Sequence, residues 1–387
     1  MKPKPHPTWD DKKLAQDRQA GLQAELRERG IGAMYLSDTM NLRYVLNLKV
    51  PGGGVFIPAE GEVIAFIKPR DMGYVRMHHS NIQPTFYQSA DTETPAFEEK
   101  VKRFAQVIYD LMVEHGVGDS ALAVDPLDAS AYNALSEAGV RVANASPIVE
   151  YARSVKTNDE VAIYRRIGEQ YVYTMSAFRD ALKPGISERE LAGIVTAAWS
   201  DADGEEIAQL NICSGENMNP WRRWPTERKL VAGEFAGIDL HGRGPNGMRG
   251  DASRTFFVGD NPSQEQRDLY RRAYDYLLRV IDVVRAGTAL VDVRDRAPSV
   301  PEKYAAQLYN YSIIHGIGLN HSGFPHVEKR KRVPDGVLRP NQVFAVECYF
   351  GEEGSPLAVK LEEDVIVRDG APERLAPNIP FDERFTS

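Results

Sequence analysis

The sequence predicts an α/β domain over residues 1–151 followed by an α+β domain over 152–387, the second built on an internal duplication around a central antiparallel sheet. Three observations carry this. Short apolar β runs alternate with amphipathic helical stretches up to about residue 150, the usual size of one domain. From 158 the pattern changes to a long periodic helix, a glycine stop and a second helix, and that design recurs about one hundred residues later. The later β runs carry carboxylates and a histidine among apolar residues, where an inward-facing charge needs a partner.

The elements follow in order. Residues 12–29 have a helical pattern closed by Gly30. Residues 33–36, 55–57 and 63–67 read as strands, the last two joined through the turn Pro58-Ala59-Glu60-Gly61. Residues 97–115 form an amphipathic helix, and 121–124 a buried strand ended by Asp125-Pro126. In the second domain Val161, Tyr164, Ile167, Tyr171, Met175 and Phe178 mark one helix face, and Lys183-Pro184-Gly185 stops the helix. Ser187-Glu188-Arg189-Glu190 then opens another with a capping-box pattern. The second copy is a helix over 266–285, then Ala286-Gly287-Thr288, then Val291-Asp292-Val293.

Composition excludes several functions. With 47 Lys and Arg against 55 Asp and Glu and no basic block, the chain lacks the clustered positive footprint of a nucleic-acid or anionic-membrane binder. Cys213 and Cys348 are too few for a disulfide framework or a cysteine metal cluster, so a reducing, cytoplasmic setting is expected. The start, Met1-Lys2-Pro3-Lys4-Pro5-His6-Pro7, has no apolar run behind its charges, and no stretch approaches eighteen uninterrupted apolar residues.

Five segments hold the chemistry: Gly237-Ile238-Asp239-Leu240-His241, Arg249-Gly250-Asp251-Ala252-Ser253-Arg254, Ile313-Ile314-His315-Gly316, Val343-Phe344-Ala345-Val346-Glu347-Cys348 and Val359-Lys360-Leu361-Glu362-Glu363-Asp364. Taken singly, each acidic residue is better explained by exposure or capping. If Asp239, Asp251, His315, Glu347 and Glu362 converge, four carboxylates in a small space need protons or cations. Two divalent ions meet that need, and such a pair lowers the pKa of a bound water and polarises a substrate oxygen. Oxygen-rich ligation favours manganese, iron or cobalt, with zinc as a further candidate.

The order Asp, Asp, His, Glu, Glu, in the contexts Asp251-Ala-Ser-Arg-Thr-Phe, His315-Gly-Ile-Gly-Leu, Phe344-Ala-Val-Glu347 and Lys360-Leu-Glu362-Glu-Asp, resembles the pita-bread metallohydrolases. These include methionine aminopeptidase, aminopeptidase P, prolidase and the metal-free creatinase. Arg153-Ser-Val-Lys156 and Leu182-Lys-Pro-Gly-Ile-Ser-Glu188 extend the likeness, and the first domain looks like the creatinase-type N-terminal domain. The resemblance implies a pita-bread second domain with pseudo-twofold symmetry, Asp239 on one metal, His315 and Glu347 on the other, and Asp251 and Glu362 on both. It also implies a homodimer.

Local strings are closer still to the dimethylsulfoniopropionate lyases of this fold, which share the twelve-residue step from Asp239 to Asp251, an Asn-Pro-Trp string and an ending like Ile379-Pro-Phe-Asp-Glu. The peptidases place a histidine just before the first aspartate, after a Ser-Gly-x-Asn turn. Here Ser214-Gly215-Glu216-Asn217 runs on through Met218-Asn219-Pro220-Trp221-Arg222-Arg223-Trp224 without one. A second peptidase histidine is replaced by Ser322, with His321 one step early. The lyases place aspartates at the positions of His241 and His321, one a metal ligand and one the base.

His241 is thus an added metal ligand, a group supporting the ligands, or an ordinary polar residue, and His321 a candidate acid or base. Trp221, Arg222 and Trp224 offer ring faces for a cation and a guanidinium for a carboxylate, with plain packing as the alternative. His326, after Pro325, is expected in a solvated loop. The leading expectation is metal-dependent hydrolysis of a C–N bond in a small, carboxylate-bearing substrate. In it Glu347 or Glu362 moves a proton and His241 or His321 assists the leaving group. The rivals are a lyase in which His321 removes an α-proton, and a metal-free binding module.

Overall fold

A computed structural model describes residues 9–85, 97–222, 224–305, 312–320 and 323–386. The chain separates into two compact units, Trp9–Arg153 and the part from Ser154 onward. His321, Ser322 and Arg223 lie outside the described residues. No described helix is long and apolar enough to cross a membrane.

The first unit contains α1 (Asp11–Glu28), β1 (Ala33–Leu36), α2 (Thr39–Leu46), β2 (Gly53–Pro58), β3 (Ile64–Ile67), α3 (Met72–Val75), β4 (Ile82–Pro84), α4 (Phe97–Glu114), β5 (Ala121–Val124), α5 (Ala129–Glu137), β6 (Arg141–Asn144) and α6 (Ser146–Ser154). Its sheet runs β4-β3-β2-β1-β5-β6. β1 is buried throughout because it is interior, antiparallel to β2 and parallel to β5. The apolar stripe of α4, including Val101, Phe104, Ile108 and Met112, packs with Tyr35, Phe56 and Phe66 of the sheet. Asp10 caps α1 by accepting from the Lys12 and Lys13 amides, both at 3.0 Å.

The second unit contains α7 (Asn158–Ala181), α8 (Glu188–Asp201), β7 (Glu206–Ser214), β8 (Phe235–Arg243), β9 (Ala252–Phe257), α9 (Gln264–Val283), α10 (Leu290–Arg296), α11 (Glu302–Ala305), β10 (Ser312–Gly316), β11 (Gly323–Glu328), β12 (Val343–Gly351), β13 (Ala358–Ile366), β14 (Glu373–Arg374) and α12 (Glu383–Thr386). The strands form one sheet in the order β11-β10-β12-β13-β9-β8-β7, with β14 on β13. All its pairings are antiparallel. Capping boxes open α7 (Thr157 with Glu160), α8 (Ser187 with Glu190) and α9 (Ser263 with Gln266). Leu269, Leu277, Val280 and Ile281 of α9 share a buried cluster with Phe344, Val346, Leu361 and Val365 of the sheet. The opposite side chains of those strands carry the polar centre, because successive residues alternate between faces.

Candidate metal centre

Strand register builds the centre. Asn211 on β7 pairs with Asp239 on β8, Asp239 with Ser253 on β9, Ser253 with Glu362 on β13, and Glu362 with Glu347 on β12. Directly paired residues share a face, so these five side chains form one row across five strands. Two residues along each strand lies the next row: His241 opposite Gln209, Asp251 just before β9, and Ala345 opposite both Asp364 and His315. Lys360, opposite Tyr349, stands in the row on the other side.

The structure brings the sequence-predicted ligands together. Ligand atoms of Asp239, His241 and Asp251 lie within 4.8 Å of one another, as do those of Asp251, His315 and Glu362. Glu347 joins through its Oε1, 3.8 Å from His315 Nε2. Asp251 and Glu362 are fully enclosed, Asp239, His241 and His315 nearly so, and Glu347 is the most open member. Four carboxylates with two imidazoles form a donor set that suits an oxygen-preferring divalent transition metal.

Three buried groups join the centre that sequence reasoning did not assign to it. The Lys360 ammonium donates to Glu362 Oε2 at 2.8 Å and to Ser253 Oγ at 2.9 Å. It also lies 3.4 Å from Glu347 Oε2 and 3.5 Å from Asp239 Oδ1. Asp239 accepts from Ser253 Oγ at 2.6 Å and from Asn211 Nδ2 at 2.9 Å. The alternation of Lys360 with Glu362 and of Asp251 with Ser253 was the available signal for two of them, since residues two apart on a strand share a face. Asn211 had none, because only the β7–β8 register places it beside Asp239. Asp364 supports the arrangement from the same face: its Oδ2 accepts from the Asp251 amide at 2.9 Å.

Burial and charge oppose each other here. Burial pulls the Lys360 pKa down, but Asp239, Glu362 and Glu347 more than offset it and hold the ammonium well above the ordinary lysine value. Burial pushes Asp239 up, and Lys360 and His241 outweigh it, leaving its carboxyl well below the usual range. Glu362 is raised by burial and by Asp251. His241 spans the two aspartates, Nδ1 3.1 Å from Asp251 Oδ2 and Nε2 3.3 Å from Asp239 Oδ2.

The residues read as substrate-binding divide. Trp221 is buried, edge-on to Tyr349 with ring centroids 6.2 Å apart. A Cβ on Gly237 would stand 2.9 Å from its ring, so glycine two residues before Asp239 lets the indole lie on the strand beside the row. Its indole N–H finds no acceptor among the described residues. Trp224 is 61 % exposed and stacks under the Arg222 guanidinium at 5.6 Å. The segment is tied down by Glu188, the first residue of α8, which accepts from the Ser214 amide (2.8 Å) and hydroxyl (2.8 Å), Asn217 Nδ2 (2.9 Å), and the Thr226 amide (2.9 Å) and hydroxyl (2.6 Å). His326 is not in a loop: it sits on β11 opposite His315, ring centroids 5.9 Å apart. Arg254 pairs with Glu363, which also takes Arg374, on the face away from the centre.

A creatinase-type α/β unit and an antiparallel sheet bearing a buried carboxylate–histidine cluster define the class of pita-bread metalloenzymes. The chain belongs to metallopeptidase family M24, whose sequence model matches residues 162–369; the Creatinase/Prolidase N-terminal domain matches residues 18–155. It is 25% identical over 378 residues to the dimethylsulfoniopropionate lyase DddP of Roseovarius nubinhibens, covering 92% of this chain and 83% of that one. It is 24% identical over 259 residues to the Xaa-Pro aminopeptidase of Escherichia coli, covering 60% and 58%. The fold is that of the Xaa-Pro dipeptidase from Bacillus anthracis, with TM-score 0.79 at 22% identity over 95% of this chain and 99% of that one. The prolidase from Pyrococcus furiosus is similar, with TM-score 0.74 at 19% identity over 92% and 98%.

Proposed function

We propose that this chain is a divalent-metal-dependent hydrolase that cleaves a C–N bond in a small, carboxylate-bearing substrate, without being a standard Xaa-Pro dipeptidase. The observation that carries the reading is the single-face row, which gathers Asp239, Glu362 and Glu347 with Asp251 and His315 alongside. When bound, a divalent cation supplies a Lewis acid for a substrate oxygen and acidifies a water. The chain's own residues do the rest. Asp251, His315, Glu347 and Glu362 hold the cation. Glu347, the most open of them, moves a proton between water and leaving group. The buried Trp221 N–H serves as a donor for a substrate acceptor. His241, held between two aspartates, keeps both oriented, and His321 is the acid that assists the leaving group. The chain works as a homodimer in this reading, which sedimentation velocity checks.

A second reading, elimination from a sulfonium acid or related compound with His321 as base, is favoured by the match to DddP along 92% of this chain. One experiment separates the two. Metal-loaded protein is offered a panel of dipeptides and N-acyl acids beside a panel of sulfonium acids, and products are weighed by mass spectrometry. Hydrolysis adds one water and is expected with the amides. An alkene product would replace hydrolysis by elimination, and a protein that binds no metal would sink both and leave a binding module.

A further inference from the structure

We infer that the centre takes one divalent ion rather than the two that its five-ligand pattern implies, with Lys360 as the fixed second positive charge. The inference rests on the metal-dependent reading and concerns the count alone.

The two glutamates divide their oxygens in the same way. Glu362 Oε1 lies 3.8 Å from His315 Nε2, and Glu347 Oε1 also 3.8 Å from it. Their second oxygens turn to the ammonium instead, Glu362 Oε2 at 2.8 Å and Glu347 Oε2 at 3.4 Å from Lys360 Nζ. Asp251 Oδ2 completes the first group at 3.9 Å from His315 Nε2. His315 Nε2 and oxygens of Asp251 and Glu362 thus gather within 4.8 Å of one another with Glu347 Oε1 beside the nitrogen, and a buried ammonium faces the other oxygen of both glutamates.

Asp239, the residue a second ion would need, is already engaged at both oxygens. Oδ1 takes Ser253 Oγ at 2.6 Å and faces Lys360 Nζ at 3.5 Å. Oδ2 takes Asn211 Nδ2 at 2.9 Å and faces His241 Nε2 at 3.3 Å. The imidazole of His241 lies between Asp239 and Asp251, so an ion bound to that pair has to displace the ring or use it as a ligand on one side only.

Charge counting agrees. One dication and one ammonium leave a single net negative charge on the four carboxylates. Two dications with the ammonium leave the set net positive and force three cations into contact with Glu362, with repulsion that grows as the local dielectric falls. Lys360 is 3% exposed, and a lysine on the same face two residues from a ligand has no room to leave without unburying its stem.

The test is stoichiometry. Apo protein is titrated with Mn²⁺ by calorimetry, and electron paramagnetic resonance is recorded at saturation. The wild type should bind one Mn²⁺ per chain and give an isolated-ion spectrum, Lys360→Arg should do the same, and Lys360→Met should rise to two with an exchange-coupled spectrum. Two coupled ions in the wild type overturn the inference and leave the proposed hydrolase standing. One ion in both wild type and folded Lys360→Met removes Lys360 as the cause. No ion at all in the wild type overturns the metal reading itself. Should Lys360→Met fail to fold, the wild-type count still decides between one and two.

Discussion

The two halves of the unit from Ser154 onward follow one backbone plan with different side chains. After α7, Gly185 donates to Leu230 O at 2.8 Å; after α9, Gly287 donates to Leu338 O at 2.8 Å. Leu230 donates back to Ile186 O and Leu338 back to Thr288 O, again both at 2.8 Å. Glu188 donates to Arg228 O and Leu290 to Gly336 O, while isolated bridges join Ser187 to Lys229 and Ala289 to Val337. Each helix pair is thus closed on a β-segment by the same ladder.

What differs is what the equivalent positions carry. Glu188, wholly buried, gathers the hydroxyls and amides of Ser214, Asn217 and Thr226, whereas its counterpart Leu290 packs into the apolar cluster under α9. The first half supplies Asp239, His241 and Asp251 to the centre; the second supplies His315, Glu347, Glu362 and the buried ammonium of Lys360. Backbone pairing therefore repeats the frame, and side-chain identity alone makes one half a polar clamp for the Trp221 segment and the other the source of the positive charge.

The comparison can be broken at its shared point first. Asp251→Ala, which removes the residue common to both carboxylate–histidine triads, is expected to abolish turnover and weaken metal binding by more than about a hundredfold, beyond the cost of losing an outer partner. The circular dichroism spectrum should stay native. Full metal content in that variant would mean the ligands are misassigned.

Next in size is Glu188→Leu, which writes the second half's residue into the first. Five hydrogen-bond donors lose their acceptor, and urea denaturation should show a loss of about 4 kcal/mol. A neutral result would mean the clamp is dispensable and the halves are interchangeable here. Gly185 and Gly287 have φ of +87° and +82°, with nothing within 4 Å of an added Cβ. Alanine at either should cost about 1 kcal/mol through backbone strain alone, equally in both halves. Unequal losses would show that the two turns bear different loads.

The smallest effect concerns Glu373, which holds Arg165 of α7 at 2.6 Å and Arg368 at 2.6 Å. Arg165 above all, with Arg368, lowers its pKa from 4.5 to about 2 against a partial burial that raises it. Because the folded value is depressed, the pair's contribution is complete above pH 4.5 and is lost as pH falls towards 2. Solvent still reaches the group and its exposed partner Arg165, so Glu373→Gln should remove less than about 1 kcal/mol, visible as a smaller stability difference between pH 6 and pH 3.

Much of this was legible in the chain. The stripe from Val161 to Phe178 and the stop at Gly185 set α7, and the Ser187–Glu190 spacing set the start of α8. The order Asp, Asp, His, Glu, Glu in apolar β runs singled out five side chains that the strands bring together. His326 was misplaced because Pro325 reads as a loop signal, whereas β11 pairs on one side only and tolerates the missing donor. Trp221 and Trp224 look equivalent in the sequence, yet one is buried against Gly237, where a strand without a Cβ leaves room for the indole, and the other is exposed.

By itself the sequence determined the local periods and the helix ends, because these depend on residues within a turn or two of one another, and it listed the carboxylates and histidines available for a metal. Only the tertiary structure decided that Asn211, Asp239, Ser253, Glu362 and Glu347 share one row, that His241 lies between two aspartates, and that Lys360 faces the carboxylates it neutralises. Alternation tells which residues of a strand point the same way. Which strands become neighbours, and in what register, is settled by long-range pairing, and a slip of one residue would turn every one of these groups to the other face.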